Sequence, residues 1–155
     1  MSIVVKLSDI IDGLESQMDD SSSFLNIETG EVILISDDEF RAVEEDKDIN
    51  KFPEWQRKVI ELAEKVMEED SYIKLPSKFD IHEYSIMEKF CLSLTDNRLS
   101  NIMYNSIKGS GAFRRFKDHL HRHGIADNWY EYRDEALKQI AIEWCERKGV
   151  SFIDK

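Results

Sequence analysis

The chain has little of what would tie it to an oxidising or a lipid environment. Two cysteines in 155 residues are too few for the disulfide framework of a small secreted domain. Both, Cys91 and Cys145, fall on apolar stripes of predicted helices, where a thiol behaves as a small hydrophobe. No window approaches the roughly 20 apolar residues that a membrane-spanning helix needs. The opening "MSIVVKLSDIIDGL" reaches Lys6 and Asp9 before its apolar run is long enough for a secretory signal. A cytoplasmic protein with no membrane association is the expectation. Only two prolines and six glycines are present, beside 41% hydrophobic and 34% charged residues, so the composition is that of a chain that folds. The length suits one domain over residues 1–155, with a helix-and-hairpin part over about 1–50 and a helical part over about 51–155.

Enzyme signatures are also missing. There is no Gly-x-Ser-x-Gly elbow, no HExxH and no Walker lysine pattern, and no cofactor is implied. Positive charge is scarce as well, with 21 basic residues against 32 acidic ones for a formal charge of −11. Residues 101–155 nevertheless hold ten Lys/Arg against eight Asp/Glu, so the first hundred residues carry −13. Such a chain repels nucleic acid and anionic lipid at long range, which makes nucleic acid an unfavoured partner, while a local basic patch still works at contact distance.

What is there reads as α+β, a predominantly helical cluster with a small antiparallel N-terminal sheet. A short strand at Ile3 to Val5 precedes Leu7, Ile10, Ile11, Leu14 and Met18 at helical spacing, with Ser8 as a cap. "SFLNIETGEVILIS" then switches to β-favouring runs around Thr29-Gly30, predicting strands near 23–28 and 31–35. Ser36 and Glu39 match a capping box. "EEDKDINKFP" reads as a linker, with Pro53 in the first turn of an amphipathic helix carrying Trp55, Val59, Leu62, Ala63 and Val66. "SYIKLP" offers a third strand. Helices follow to the end: one behind an Asp80–Glu83 capping box, one through Leu99 to Ile107 closed by Gly109, one through Phe113, Phe116 and Leu120 stopping at Gly124, and one capped by Asn128 and running to Gly149.

The densest local signal is "GSGAFRRFKDHLHRHG", residues 109–124. On a helix this stretch puts Ala112, Phe113, Phe116 and Leu120 on one side and Arg114, Arg115, Lys117, His121 and Arg122 on the other. Charged helix faces are usually solvated or paired within their own chain. The functional alternative is a docking surface for an acidic partner or a phosphate group, aided by Gly109, Gly111 and the free N–H groups of the helix start. With Phe113 and Phe116 turned inward, these aromatics are poorly placed to stack on bases. His119 and His123 stand four apart, a spacing at which two imidazoles reach one metal ion, but a third ligand such as His82 or Cys91 would have to come from elsewhere, and no metal site is assigned. Arg133 shares a stripe with Tyr130, Leu137, Ile140, Ala141 and Trp144, where its guanidinium needs a carboxylate or a route to solvent. The acid runs at Asp9, Asp12, Glu15 and at Asp37, Asp38, Glu39 could hold a hard cation, although helix N-termini favour acids for electrostatic reasons alone.

The segments "KFDIHEYSIMEKF", "GAFRRFKD" and "WYEYRDEALKQIAIEWCE" resemble the bacterial family catalogued as uncharacterised protein family 0158, over about residues 72–147, with a looser fit through "GEVILI". The resemblance implies a cytoplasmic bacterial domain and no particular catalysis. Family members often have a basic residue between the two glycines where this chain has Ser110, a departure that weakens a phosphate cradle. The expected function is a non-enzymatic binding or adaptor domain recognising an acidic or phosphate-bearing partner through Arg114, Arg115, Lys117, His121, Arg122 and Arg133. The alternative is a small enzyme acting on a phosphorylated or nucleotide substrate, with the arginines as anion clamps and a histidine as acid or base.

Overall fold

The structure, a computed structural model, describes residues 3–155. Its backbone gathers into two compact units, one built from the chain up to Asp80 together with Ile140–Lys155, the other from Ile81–Gln139. The architecture is α+β.

In the first unit, β1 (Val4–Lys6) leads into α1 (Leu7–Ser16), and β2 (Ser21–Asn26) and β3 (Val32–Ser36) form the expected hairpin. Helix α1 starts at Leu7 with Lys6 at the N-cap and no side-chain cap, so Ser8 lies inside it. Then come α2 (Asp37–Glu44), a 3₁₀ turn at Ile49–Lys51, α3 (Glu54–Glu68) and β4 (Tyr72–Lys74). The Ser36–Glu39 capping box is formed. Burial pushes the Glu39 carboxyl up, but bonds from Ser36 and Gln56 outweigh it and hold the group below its usual range. Pro53 is the N-cap of α3 rather than part of its first turn, and Trp55 points to solvent, 67% exposed.

Strand β2 is central in the sheet β3-β2-β4, with Phe24 opposite Ile33 on one side and Lys74 on the other. Period-two alternation sends Phe24, Ile33 and Ile35 to one face, where they meet Ala63 and the partly buried Phe40, Val43, Val59 and Leu62 of α2 and α3. Helix α1 takes the other face at very close range. A Cβ on Gly13 would stand 2.8 Å from both Leu75 Cδ2 and Val32 Cγ1, and the Ser23 hydroxyl donates to Gly13 O at 2.7 Å. Gln17, 2% exposed, completes this face: its Oε1 accepts from Ser23 N–H at 3.0 Å and its Nε2 donates to Pro76 O at 2.8 Å.

The sheet content differs from expectation. Besides the antiparallel three-stranded sheet there is a parallel pair, β1 with β5 (Ser151–Ile153), in the register Val5 opposite Phe152. A parallel pairing needs a long connection with its own secondary structure, and here nearly the whole chain supplies it.

In the second unit, α4 (Lys78–Ile81), which straddles the boundary, is followed by α5 (Glu83–Ser93), α6 (Asn97–Ser106), α7 (Ala112–Arg122) and α8 (Ala126–Lys148), the last passing into the first unit at Ile140. The expected Asp80–Glu83 box is not made. Asp80 instead exchanges bonds with Ser77, 3.0 Å and 3.1 Å, and His82 takes a left-handed conformation, φ 55°, that breaks α4 from α5. Asn128 lies within α8, which begins at Ala126. Phe90 anchors the core, edge-on to Phe116 at 6.2 Å and to Trp129 and Tyr132 at 5.4 Å each. Cys91, 0% exposed, lies in the same unit, and burial pushes its thiol up to about 11; the buried Cys145 shifts the same way.

Two outcomes follow. Gln17→Met keeps length but strands the buried Ser23 N–H and Pro76 O, and urea unfolding should show a loss of about 1–3 kcal/mol. Alkaline pH should also destabilise the protein. Below pH 9 the Cys91 thiol is protonated in both states, whereas above it the unfolded chain ionises first, so stability falls by about 1.4 kcal/mol per pH unit until the folded thiol ionises near 11. Urea titrations at pH 8, 9 and 10 should show a shallower decline for Cys91→Ala than for wild type.

Candidate functional site

Gly109-Ser110-Gly111 joins α6 to α7, and both glycines have positive φ, 80° and 75°. Glycine is the residue that takes this conformation without strain. The backbone carbonyls of the turn converge on one side chain. Arg115 donates through Nε to Ser106 O at 3.1 Å, through Nη1 to Ser110 O at 2.5 Å and through Nη2 to Lys108 O. A Cβ on Gly111 would approach Nη1 to 3.2 Å. The turn therefore holds a guanidinium of its own chain, which satisfies carbonyls that the end of α6 leaves without helical partners. Arg115 is thus drawn off the outer arc where helical periodicity put it.

The rest of that arc is open. Arg114, Lys117, His121 and Arg122 are all exposed. Among the described residues no hydrogen bond or ion pair engages Arg114 or Arg122. Phe116 and Leu120 are buried as expected, but Phe113 is not turned inward: it is 49% exposed, with Lys117 Nζ 4.7 Å from its ring centroid. The basic face thus carries an aromatic at its edge, and one side of that ring is occupied by an ammonium.

The remaining candidates have other partners. Arg133 Nε donates to Glu83 Oε1 at 2.7 Å, tying α8 to the first turn of α5. The rings of His119 and His123 stack, 5.8 Å apart and 5° from parallel, and His119 Nδ1 is buried with no hydrogen-bond partner. Among the described residues no group of three His, Cys, Asp or Glu side chains converges to hold a metal ion. Asp9 and Asp12 line a cleft of about 330 Å³ between α1 and β3 together with Glu31, while Asp38 pairs with Arg41 at 3.2 Å and Glu39 serves as the cap of α2.

Charge is divided between the units. The first has 24 acidic residues against 12 basic, the second eight against nine. A larger cleft, about 470 Å³, lies in the first unit, lined by Lys74, Leu75, Trp144 and Arg147 among others. Neither it nor the acidic cleft is lined by residues of α7.

The fold is α+β, and one helix of its second unit, α7, carries an exposed basic face with an aromatic at its edge. The chain belongs to the Uncharacterised protein family (UPF0158), whose family model matches residues 1–155. No curated protein and no solved structure matches it. No helix among the described residues is long and apolar enough to cross a membrane.

The two neighbouring arginines should respond differently to the same substitution. Arg115→Met leaves three carbonyls without their donor and should cost about 1–2 kcal/mol, whereas Arg114→Met should change stability by less than about 0.5 kcal/mol. Thermal melts of both variants check this.

Proposed function

We propose that the protein is a non-enzymatic binding or adaptor domain of the bacterial cytoplasm whose α7 face recognises an acidic or phosphate-bearing partner. The observation that carries this reading is the uncommitted state of Arg114 and Arg122 on an exposed face shared with Lys117 and His121. In a chain with an excess of 11 acidic residues, internal carboxylates are plentiful, yet among the described residues none is paired with either arginine. Phe113 adds apolar contact area beside the cations, which suits a protein segment with acidic residues flanking an apolar anchor. Arg115 fixes the turn before α7, and Arg133 ties α8 to α5 through Glu83.

A triple substitution of Arg114, Lys117 and Arg122 to Glu tests this. Exposed pairs contribute roughly 0–1 kcal/mol each, so the variant should melt close to wild type. Wild-type protein immobilised on beads should capture a partner from bacterial lysate at low salt and lose it as salt rises, and the variant should capture none. Retention of the same partner by a folded triple variant would remove the face from the binding surface.

A further inference from the structure

The cleft of about 470 Å³ in the first unit lies where the end of β4 and the turn after it meet the last two turns of α8. Its floor is apolar, with Leu75 1% and Trp144 2% exposed. Its rim is charged. Lys74 enters from β4, Arg147 and Lys148 from the last turn of α8. A helix C-terminus attracts cations through its dipole, and that would account for the last two. It does not account for Lys74, which comes from a separate strand. Among the described residues none of these three cations has a hydrogen bond or an ion pair within the chain, although acidic residues outnumber basic ones two to one in this unit.

We propose that this cleft binds a small dianion of the phosphate-monoester class. Donor number selects it. Three cations face the two carboxylates Asp80 and Glu143, so the lining is net positive by one, and Asp80 Oδ2 already accepts from Ser77 N–H at 3.0 Å. A phosphoryl group presents three oxygens to the three cations, where a carboxylate ligand presents two. The Arg147 guanidinium offers parallel N–H donors that match two oxygens of a phosphoryl group, and the two lysines add compact point charges. Leu75, Pro76 and Ile140 give the carbon part of an ester an apolar seat, and the volume lies within the range of about 300–1,000 Å³ usual for small-molecule sites. Glu143 precedes Arg147 by four residues, within reach along the helix, so it competes with the ligand for the guanidinium. The site lies in the other unit from α7 and shares no residue with its basic face, so it stands or falls separately from the adaptor reading.

Isothermal titration of the full chain with phenyl phosphate, inorganic phosphate and acetate, at one pH near 8 and one ionic strength, tests the inference. Phenyl phosphate should saturate a single site, inorganic phosphate should bind more weakly, and acetate should bind at least about tenfold more weakly than phenyl phosphate. Lys74→Gln and Arg147→Gln should each weaken phenyl phosphate by about fivefold or more, and Glu143→Gln should tighten it. Equal binding of phenyl phosphate and inorganic phosphate would overturn the ester assignment. Absence of saturable binding, acetate as tight as phosphate, or variants that all bind like wild type would overturn the site.

Discussion

A single buried amide holds the first unit together where a strand runs out. Strand β4 pairs with β2 only over Phe24 to Asn26, yet β2 continues back to Ser21, and its edge beyond β4 needs partners. Leu75 N–H reaches Ser23 O at 2.9 Å, and Gln17 Oε1 takes the Ser23 N–H at 3.0 Å. The other end of the same amide fixes Pro76 O. Burying an amide is costly unless its groups are bonded, so Gln17 is tolerated only with α1, β2 and the Leu75-Pro76 segment in one arrangement. Gly13 favours that arrangement sterically, since a Cβ there would stand 2.8 Å from both Val32 Cγ1 and Leu75 Cδ2 and would force a neighbour to shift. Leu75 and Pro76, which these contacts hold in place, also line the larger cleft.

Arg115 plays a comparable part in the second unit. The turn between α6 and α7 has the glycine pattern of an anion-binding loop, but its carbonyls point at the guanidinium, and a surface of carbonyls is an acceptor for cations. One side chain thus decides what the loop can hold. It also fixes the direction in which α7 leaves the turn, and with it the outward placing of Arg114, Lys117 and Arg122.

The readable parts of the fold were those with a strong period or a reciprocal local bond. The β2–β3 hairpin, the Ser36–Glu39 box, the helical runs and the burial of both cysteines follow from spacing alone. Strand β5 did not, because three residues carry no period and their partner is β1 at the opposite end of the chain. The Asp80–Glu83 pattern failed because the Ser77 N–H competes for the Asp80 carboxylate and His82 adopts a conformation that glycine would be expected to fill. At α7 the apolar stripe was drawn one residue too wide: Phe116 and Leu120 are sufficient to seat the helix, and Phe113 is left at the border. Arg115 was legible in retrospect as the residue four after Gly111, where a long donor can fold back over its own helix start. The Lys74 cleft had no signal in the sequence, since its residues come from two segments, 74–80 and 140–148, that lie far apart along the chain.

The division of charge constrains how such surfaces can act. At physiological ionic strength a field is screened over about 8 Å, so an anion approaching from farther away meets little of the net charge, and one at contact distance meets mainly the nearest side chains. A basic helix face in a second unit that is close to neutral, nine basic residues against eight acidic, is then attractive at short range despite the formal −11 of the whole chain. The same segregation works against extended polyanions. A long nucleic acid presents its phosphates to the net −11 of the whole chain, whereas a short acidic segment or a single phosphoryl group is contained by the basic patch that it touches. A binding face of the kind proposed would on that ground favour compact anions over long ones, with no need for a contact that reads the ligand's identity.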